Sequence, residues 1–172
     1  MGIYNRRNFI KMSAVAGTGL GIYGNISSLY GKSAPLTGKR VGIIGLDTSH
    51  SVAFTKTLNA TNASSVYKGY KIVAAYPKGS HDIITSVERI PGYTEDVKKM
   101  GVEIVPSITE LLNKVDVVLL ETNDGRLHLD QAIQVLKEGK PVFIDKPIAS
   151  SLREAREIFT ASKKYKTPVF SS

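Results

Sequence analysis

The chain of 172 residues contains no cysteine, so it can hold neither a disulfide framework nor a thiolate metal site. Its three histidines, His50, His81 and His128, lack the close spacing of helical metal-ligand pairs. Internal repeats, a Ser–His–Asp signature and a nucleophile elbow are also missing. The sequence therefore predicts no metal. With 42% hydrophobic and 22% charged residues, the composition is that of an ordinary globular protein.

A dense basic run is missing too, although the formal net charge is +8. The first 34 residues carry four basic residues and no acid, and the rest of the chain holds 19 basic and 15 acidic residues. The sequence shows no zinc-finger spacing, RNP-like aromatic motif or basic-zipper pattern. We therefore expect no nucleic-acid partner, since a small phosphate-bearing ligand accounts for mild basicity equally well.

The amino-terminal segment pairs arginines with an apolar stretch. Arg6 and Arg7 lie in the order Arg-Arg-Asn-Phe-Ile-Lys, and a glycine-rich apolar run follows over about residues 12–30. This order resembles the twin-arginine (Tat) export signal. The resemblance implies a signal segment over residues 1–34, the Tat machinery as a partner and a periplasmic location. The signal is either cleaved or kept as a membrane anchor.

Beyond the signal, short apolar runs alternate with helical patterns. We predict strands at 40–45, 71–76, 102–105, 115–120 and 141–144, with a sixth from 168. Helices are predicted at 51–60, 94–100, 107–113, 127–138 and 151–165, and a long loop, either without a helix or with one helical turn, at 77–92. This alternation is typical of an α/β fold, and we predict a single Rossmann-type domain with a doubly wound parallel sheet over residues 36–172.

The turn after the first strand holds candidate phosphate-binding residues. In a dinucleotide fold, glycines allow this tight turn and let the backbone approach the pyrophosphate at the helix N-terminus. Gly45 keeps the first glycine of the fingerprint, whereas Asp47 and His50 replace the second and third. We expect Asp47, Thr48 and Ser49 either to cap the helix alone or to cap it and contact phosphate. His50 is either a ligand contact or a partly exposed helix residue.

The loop after the second strand lacks the acid that binds the adenosine ribose of NAD. Lys78 and Ser80 lie there instead, and both could hold the 2′-phosphate of NADP. The alternative is that Lys78 is a solvated loop lysine.

Two later segments carry the strongest signal. The fourth strand leads into Glu-Thr-Asn-Asp-Gly-Arg-Leu-His, which ends at His128, and the fifth leads into Asp-Lys-Pro-Ile-Ala, which begins at Asp145. Over about residues 39–172 this pattern resembles the Gfo/Idh/MocA oxidoreductase family. The chain departs from the family at Asn123, which replaces a proline, and at Asp145, which replaces a glutamate.

The resemblance implies the amino-terminal NAD(P)-binding domain of an oxidoreductase acting on a sugar or related hydroxylated compound. It makes Lys146 the catalytic cation beside the nicotinamide, oriented by Asp145, with a surface Lys–Asp pair as the alternative. A structural histidine is the alternative for His128. The residues expected to bind NAD or NADP are Gly45, Asp47, Thr48, Ser49, His50, Lys78, Thr122, Asn123, His128, Lys146 and Pro147.

The residues also support an argument for Lys146 that does not depend on the family. The end of a parallel strand is where open α/β sheets bind ligands, and a cation there stabilises an alkoxide as hydride leaves its carbon. Pro147 fixes the backbone after the lysine, in a trans or a cis bond.

Two other functions stay open. One is an NAD-dependent glycoside hydrolase of the same family, which an export signal favours slightly. The other is a ligand-binding module without catalysis, suggested by Asp47 and by the missing acid after the second strand. Because the family's carboxy-terminal domain has no counterpart here, we expect a fragment or truncated product that binds nucleotide without complete catalysis.

Overall fold

The structure, a computed structural model, describes residues 40–172. The segment predicted as a twin-arginine signal lies outside these residues. In the described part of the chain, no helix is both long enough and apolar enough to cross a membrane.

Six parallel strands form one sheet with the order β3-β2-β1-β4-β5-β6. The strands are β1 (Arg40–Ile44), β2 (Lys71–Tyr76), β3 (Glu103–Ile104), β4 (Val117–Leu120), β5 (Val142–Ile144) and β6 (Val169–Ser171). Five helices connect them: α1 (Ser49–Asn59), α2 (Ile84–Lys99), α3 (Ile108–Lys114), α4 (Gly125–Lys137) and α5 (Leu152–Tyr165). A short 3₁₀ turn, Ser65–Tyr67, precedes β2. This order is that of a Rossmann fold, so the predicted fold class is confirmed.

Apolar side chains fill both faces of the sheet. On one face α3, α4 and α5 pack on a core that includes the fully buried Leu111, Leu136 and Ile158. On the other face α1 and α2 cover a smaller core around Ile43 and Val97. Strands buried on both faces explain why β1 and β4 are continuous apolar runs in the sequence.

The loop predicted at 77–92 is wrong over its second half. Helix α2 begins at Ile84 and contains Pro91. Proline inside a helix removes one hydrogen bond and is normally unfavourable. The helix nevertheless continues through Pro91 to Lys99, and Val97 near its end is fully buried in the core of this face. The helix start predicted by Ser107 is confirmed, since its hydroxyl accepts a hydrogen bond from the Glu110 N–H.

Candidate functional site

The carboxyl ends of the strands present the candidate site. The chain order reverses between β1 and β4, and ligands of open α/β sheets bind in the crevice at such a switch point. Two groups of polar side chains flank it. We call the first the β2-side network, formed by Asp47, Ser80, Asp82, Asp124 and Arg126. We call the second the β5-side cluster, formed by His50, Glu121, Asp145 and Lys146.

Gly45 makes the tight turn at the centre of this edge. Its φ of +89° lies in the region that favours glycine, and a Cβ there would lie 2.5 Å from the Thr122 backbone nitrogen. Its own N–H donates to the Tyr76 carbonyl oxygen at 2.9 Å. Gly45 therefore lets the β1 loop lie directly against the β4 loop, where Thr122 is buried.

The N-terminus of α1 has free donors. Thr48 is the N-cap residue, with extended backbone, but among the described residues no side chain makes a cap hydrogen bond there. The Thr48 Oγ1 atom is buried and has no hydrogen-bond partner within residues 40–172. Ser49 is exposed. The capping predicted for the side chains of Asp47, Thr48 and Ser49 is therefore wrong, and the first-turn N–H groups remain available to an anion.

Asp47 points away from that helix end. Its side chain is fully buried, Oδ1 accepts from the Asn123 N–H at 3.1 Å, and Oδ2 accepts from the Ser80 N–H at 3.3 Å. Gly79 is needed beside it, because a Cβ at that position would lie 2.2 Å from Asp47 Oδ2. The carboxylate thus ties the β2 loop to the β4 loop, which is why it fails to cap α1.

The rest of the β2-side network pairs every charge it contains. Arg126 donates from Nε to Asp124 Oδ1 at 2.8 Å and from Nη1 to Asp82 Oδ2 at 2.9 Å. The Ser80 hydroxyl lies 2.8 Å from Asp82 Oδ1 and 3.0 Å from Asp124 Oδ2. Hydrogen bonds from Arg126 lower the pKa of Asp124 to about 2 and hold that of Asp82 well below its usual range.

The predicted 2′-phosphate site therefore keeps only one free member. Lys78 is exposed on the β2 loop, as either interpretation of it requires. Ser80 is buried, and its hydroxyl is already engaged by two carboxylates. Asn123 is exposed, and its N–H is committed to Asp47.

Asp145 organises the β5-side cluster. It is buried, its Oδ2 lies 2.7 Å from the His50 Nδ1, and its Oδ1 accepts from Lys146 Nζ at 3.2 Å and from the Ser172 hydroxyl at 3.4 Å. Burial would raise the pKa of Asp145, but hydrogen bonds from the Lys146 backbone, His50 and the Lys146 ammonium lower it below its ordinary value. Asp145 is therefore a carboxylate that positions two cationic or protonatable groups.

Glu121 lies directly after β4 and is fully buried. Neither carboxyl oxygen has a hydrogen-bond partner in the part of the chain that the structure describes. Burial and the neighbouring Asp145 charge raise the pKa of Glu121 to about 8, against an opposing effect of Lys146. One ligand atom each from His50, Glu121 and Asp145 lie within 4.8 Å of one another.

His50 joins the cluster from the first turn of α1. Its ring packs edge-on against Phe54, one helical turn on, with the centroids 6.4 Å apart. About 44% of its side chain is exposed, so the ring connects the buried Asp145 with solvent. Lys146 is more open still, with 65% of its side chain exposed.

His128 lies behind this surface, whereas Pro147 is exposed on it. The His128 ring is fully buried, with Nε2 2.6 Å from the Thr122 carbonyl oxygen and Nδ1 3.3 Å from that of Ile148. This position favours the structural alternative for His128, because the ring holds the β4 and β5 loops together. The Lys146–Pro147 bond is cis, one of the two forms expected.

Two features of the site were not predicted from the sequence: a role for Glu121, and the pairing of Arg126 with Asp82 and Asp124 around Ser80. The sequence does contain one indication for Glu121: an acidic residue directly follows the apolar run of β4. A residue in that position lies at the sheet edge where ligands bind. No pattern in the sequence predicts that Asp82 and Arg126, 44 positions apart, form a pair.

Comparison with known proteins identifies a matching protein family. Residues 39–172 match the Gfo/Idh/MocA family, described as an oxidoreductase family with an NAD-binding Rossmann fold. An uncharacterized oxidoreductase from Streptococcus pneumoniae is 35% identical over 68 residues, which cover 38% of this chain and 18% of that protein.

Solved structures share the fold. UDP-N-acetylglucosamine 3-dehydrogenase from Acidithiobacillus ferrooxidans superposes with a TM-score of 0.57 at 18% identity, over 76% of this chain and 36% of that one. The WlbA dehydrogenase from Chromobacterium violaceum, in complex with NADH and UDP-GlcNAcA, superposes with a TM-score of 0.57 at 21% identity, over 77% of this chain and 34% of that one. A 3-ketoreductase from Actinomadura kijaniata, in complex with NADP, superposes with a TM-score of 0.55 at 23% identity, over 77% of this chain and 36% of that one. The chain spans about a third of the length of these proteins.

Proposed function

The chain belongs to the Gfo/Idh/MocA oxidoreductase family, and we propose that its Rossmann domain binds NAD(P) for hydride transfer to or from a sugar or related hydroxylated compound. This proposal rests on one observation: the uncapped N-terminus of α1 and the hydrogen-bonded group of Lys146, Asp145 and His50 lie on the same edge of the sheet. The first can hold the diphosphate, and the second can serve the reacting carbon. The relatives compared above are named as dehydrogenases, a reductase and an oxidoreductase, which supports hydride transfer over glycoside hydrolysis.

The residues of this edge fit a dinucleotide. The buried Thr48 Oγ1, which lacks a partner among the described residues, lies beside the uncapped first turn of α1. Hydroxyl and backbone N–H groups at a helix N-terminus are donors suited to phosphate. The Asp47 charge is already engaged by the Ser80 and Asn123 N–H groups, which weakens its electrostatic repulsion of a phosphate bound at this edge. Thr48, Ser49 and the backbone after Gly45 would hold the diphosphate.

The chemistry divides between the cofactor and the chain. Bound nicotinamide supplies the hydride acceptor or donor. In the reducing direction the Lys146 ammonium would stabilise the developing alkoxide and give it a proton, and in the oxidising direction the neutral amine would take the hydroxyl proton. Asp145 keeps that ammonium in place through the 3.2 Å contact. His50, hydrogen-bonded to the other carboxylate oxygen and partly exposed, exchanges the proton with solvent.

Calorimetric titration of the full chain with NAD⁺, NADH, NADP⁺ and NADPH tests the binding step. We expect at least one of the four to bind, and Thr48→Val to weaken that binding by about tenfold or more, as the loss of one hydrogen bond to a charged group implies. Thr57→Val is the matched control, because Thr57 is exposed on the same helix away from its N-terminus. The proposal fails if none of the nucleotides binds at millimolar concentration.

We also propose that the full chain is exported by the twin-arginine route to the periplasm. Its support is the Arg6–Arg7 pair, the apolar run that follows and the absence of acids over residues 1–34. Replacing both arginines with lysine should leave the protein in the cytoplasmic fraction of a Tat-competent bacterium, whereas Lys32→Gln should not. An unchanged distribution of the double variant contradicts this route.

A further inference from the structure

The β5-side cluster contains a buried acid whose presence the dinucleotide role does not explain. Glu121 is fully buried, and both its carboxyl oxygens lack a hydrogen-bond partner within residues 40–172. Burying a carboxyl group without a partner is costly, and an apolar residue at this strand end would avoid the cost. Lys146, the nearest ammonium group, is hydrogen-bonded to Asp145 instead. Within residues 40–172, both oxygens of this carboxyl group are therefore available to a ligand.

His50 and Asp145 face the same point from two other elements. One ligand atom of each lies within 4.8 Å of a Glu121 carboxyl oxygen and of the other. Ligands bound tetrahedrally at about 2.1 Å from one ion lie about 3.4 Å apart, so the three side chains need only small adjustments to meet an ion. One adjustment is between His50 and Asp145, whose Nδ1 and Oδ2 atoms are now 2.7 Å apart through a hydrogen bond. The partly exposed His50 ring is free to widen that distance.

We propose that His50, Glu121 and Asp145 bind a divalent transition-metal ion of the Zn²⁺ or Mn²⁺ class. One imidazole and two carboxylates are the donors that such ions accept, and two negative charges offset that of the ion. Three protein ligands leave a coordination position open, as in catalytic rather than structural sites. The ion would lie beside Lys146, at the edge proposed to receive the substrate oxygen. Histidine spacing along the sequence cannot reveal this site, because its ligands follow three different strands.

This inference goes beyond the proposed dinucleotide function and is tested without nucleotide. The full chain, freed of metal with EDTA and dialysed, is titrated with ZnCl₂ and with MnCl₂ by calorimetry. We expect one ion per chain. His50→Ala, Glu121→Gln and Asp145→Asn should each weaken binding more than about tenfold, since even outer-shell substitutions at metal sites reach that size.

Two further variants separate the site from adventitious binding. His81→Ala removes an exposed histidine of the β2 loop and should leave the affinity unchanged. Lys146→Met removes the ammonium that competes for Asp145 and should tighten binding. A loss of affinity in either variant comparable to that in His50→Ala contradicts the proposed ligand set.

A measurement on the unmutated protein covers the case in which a ligand variant does not fold. Pulsed EPR of the Mn²⁺ complex should show a single coordinated ring nitrogen, that of His50. The proposal is overturned if that nitrogen signal is absent, or if neither ion binds below about 1 mM, the weak end of physiological cation sites. Failure of nucleotide binding would leave these results unaffected, so the two proposals stand or fall separately.

Discussion

On the β2 side of the switch point, Arg126 bridges Asp82 and Asp124, and both oxygens of the buried Asp47 accept backbone N–H groups. On the β5 side, Asp145 is well paired, but the equally buried Glu121 has no hydrogen-bond partner among the described residues. Both sides contain acids at the ends of neighbouring strands. Complete pairing holds loops in place, whereas an unpaired buried acid is available to a ligand, as perturbed groups at functional sites often are.

Removing Asp47 should give the largest effect on stability. Asp47→Ala leaves the Ser80 and Asn123 N–H groups without their acceptor in the interior, and we expect a loss of about 3 kcal/mol in the free energy of unfolding. Urea denaturation followed by circular dichroism measures it. Asp47→Asn, which keeps one acceptor oxygen, should lose less. Equal stability of Asp47→Ala and the unmutated chain would contradict the pairing described for the β2 side.

Removing the Glu121 charge should raise the free energy of unfolding, whereas removing Asp47 lowers it. The folded-state pKa of Glu121 is about 8, above its value of 4.5 in an unfolded chain, so the folded state binds the extra proton between these values. Stability from this group is therefore present at low pH and is lost as the pH rises toward 8. In EDTA, Glu121→Gln should be more stable than the unmutated chain at pH 8, and this advantage should become small toward pH 5. A pH-independent difference would contradict the assigned burial.

Breaking the exposed half of the β2-side network should give the smallest effect. Arg126→Ala removes the partner of Asp82 and Asp124, whose folded-state pKa values lie below their unfolded ones. The stabilisation is present above the unfolded pKa and is lost as the pH falls through the folded values. The variant should therefore be slightly less stable than the unmutated chain at pH 7, and the difference should shrink as the pH falls below the unfolded value of 3.8. High salt should shrink the difference, since the pair with Asp82 is exposed. A loss larger than that of Asp47→Ala would reverse the ranking.

The sequence predicted the fold well because strands buried on both faces leave continuous apolar runs. Val117–Leu120 is the clearest example, and Ser107 and Ser151 mark helix starts by their caps. The first part of helix α2 was not predicted, because Pro91 and Gly92 suggest a loop, whereas its last part lies within the helix predicted at 94–100.

The candidate site was predicted only in part. Asp145 and Lys146 follow a strand end directly, so the general rule for α/β sheets locates them. The contacts of Asp47 were not predictable, because its acceptor role depends on two loops that lie 33 and 76 residues further along the chain. The same holds for Glu121, since burial without a partner is a property of the folded structure and has no counterpart in the sequence.

Our central claim is that the β5 side serves the reacting end of the dinucleotide while the α1 N-terminus holds the diphosphate. Titrating Lys146→Met and the unmutated chain with NADH and with ADP-ribose, which lacks the nicotinamide, tests it most directly. Lys137→Met, at an exposed lysine in the last turn of α4, is the control. We predict that Lys146→Met weakens the binding of NADH and leaves that of ADP-ribose unchanged. An equal loss for both ligands, or no loss for either, would contradict the claim.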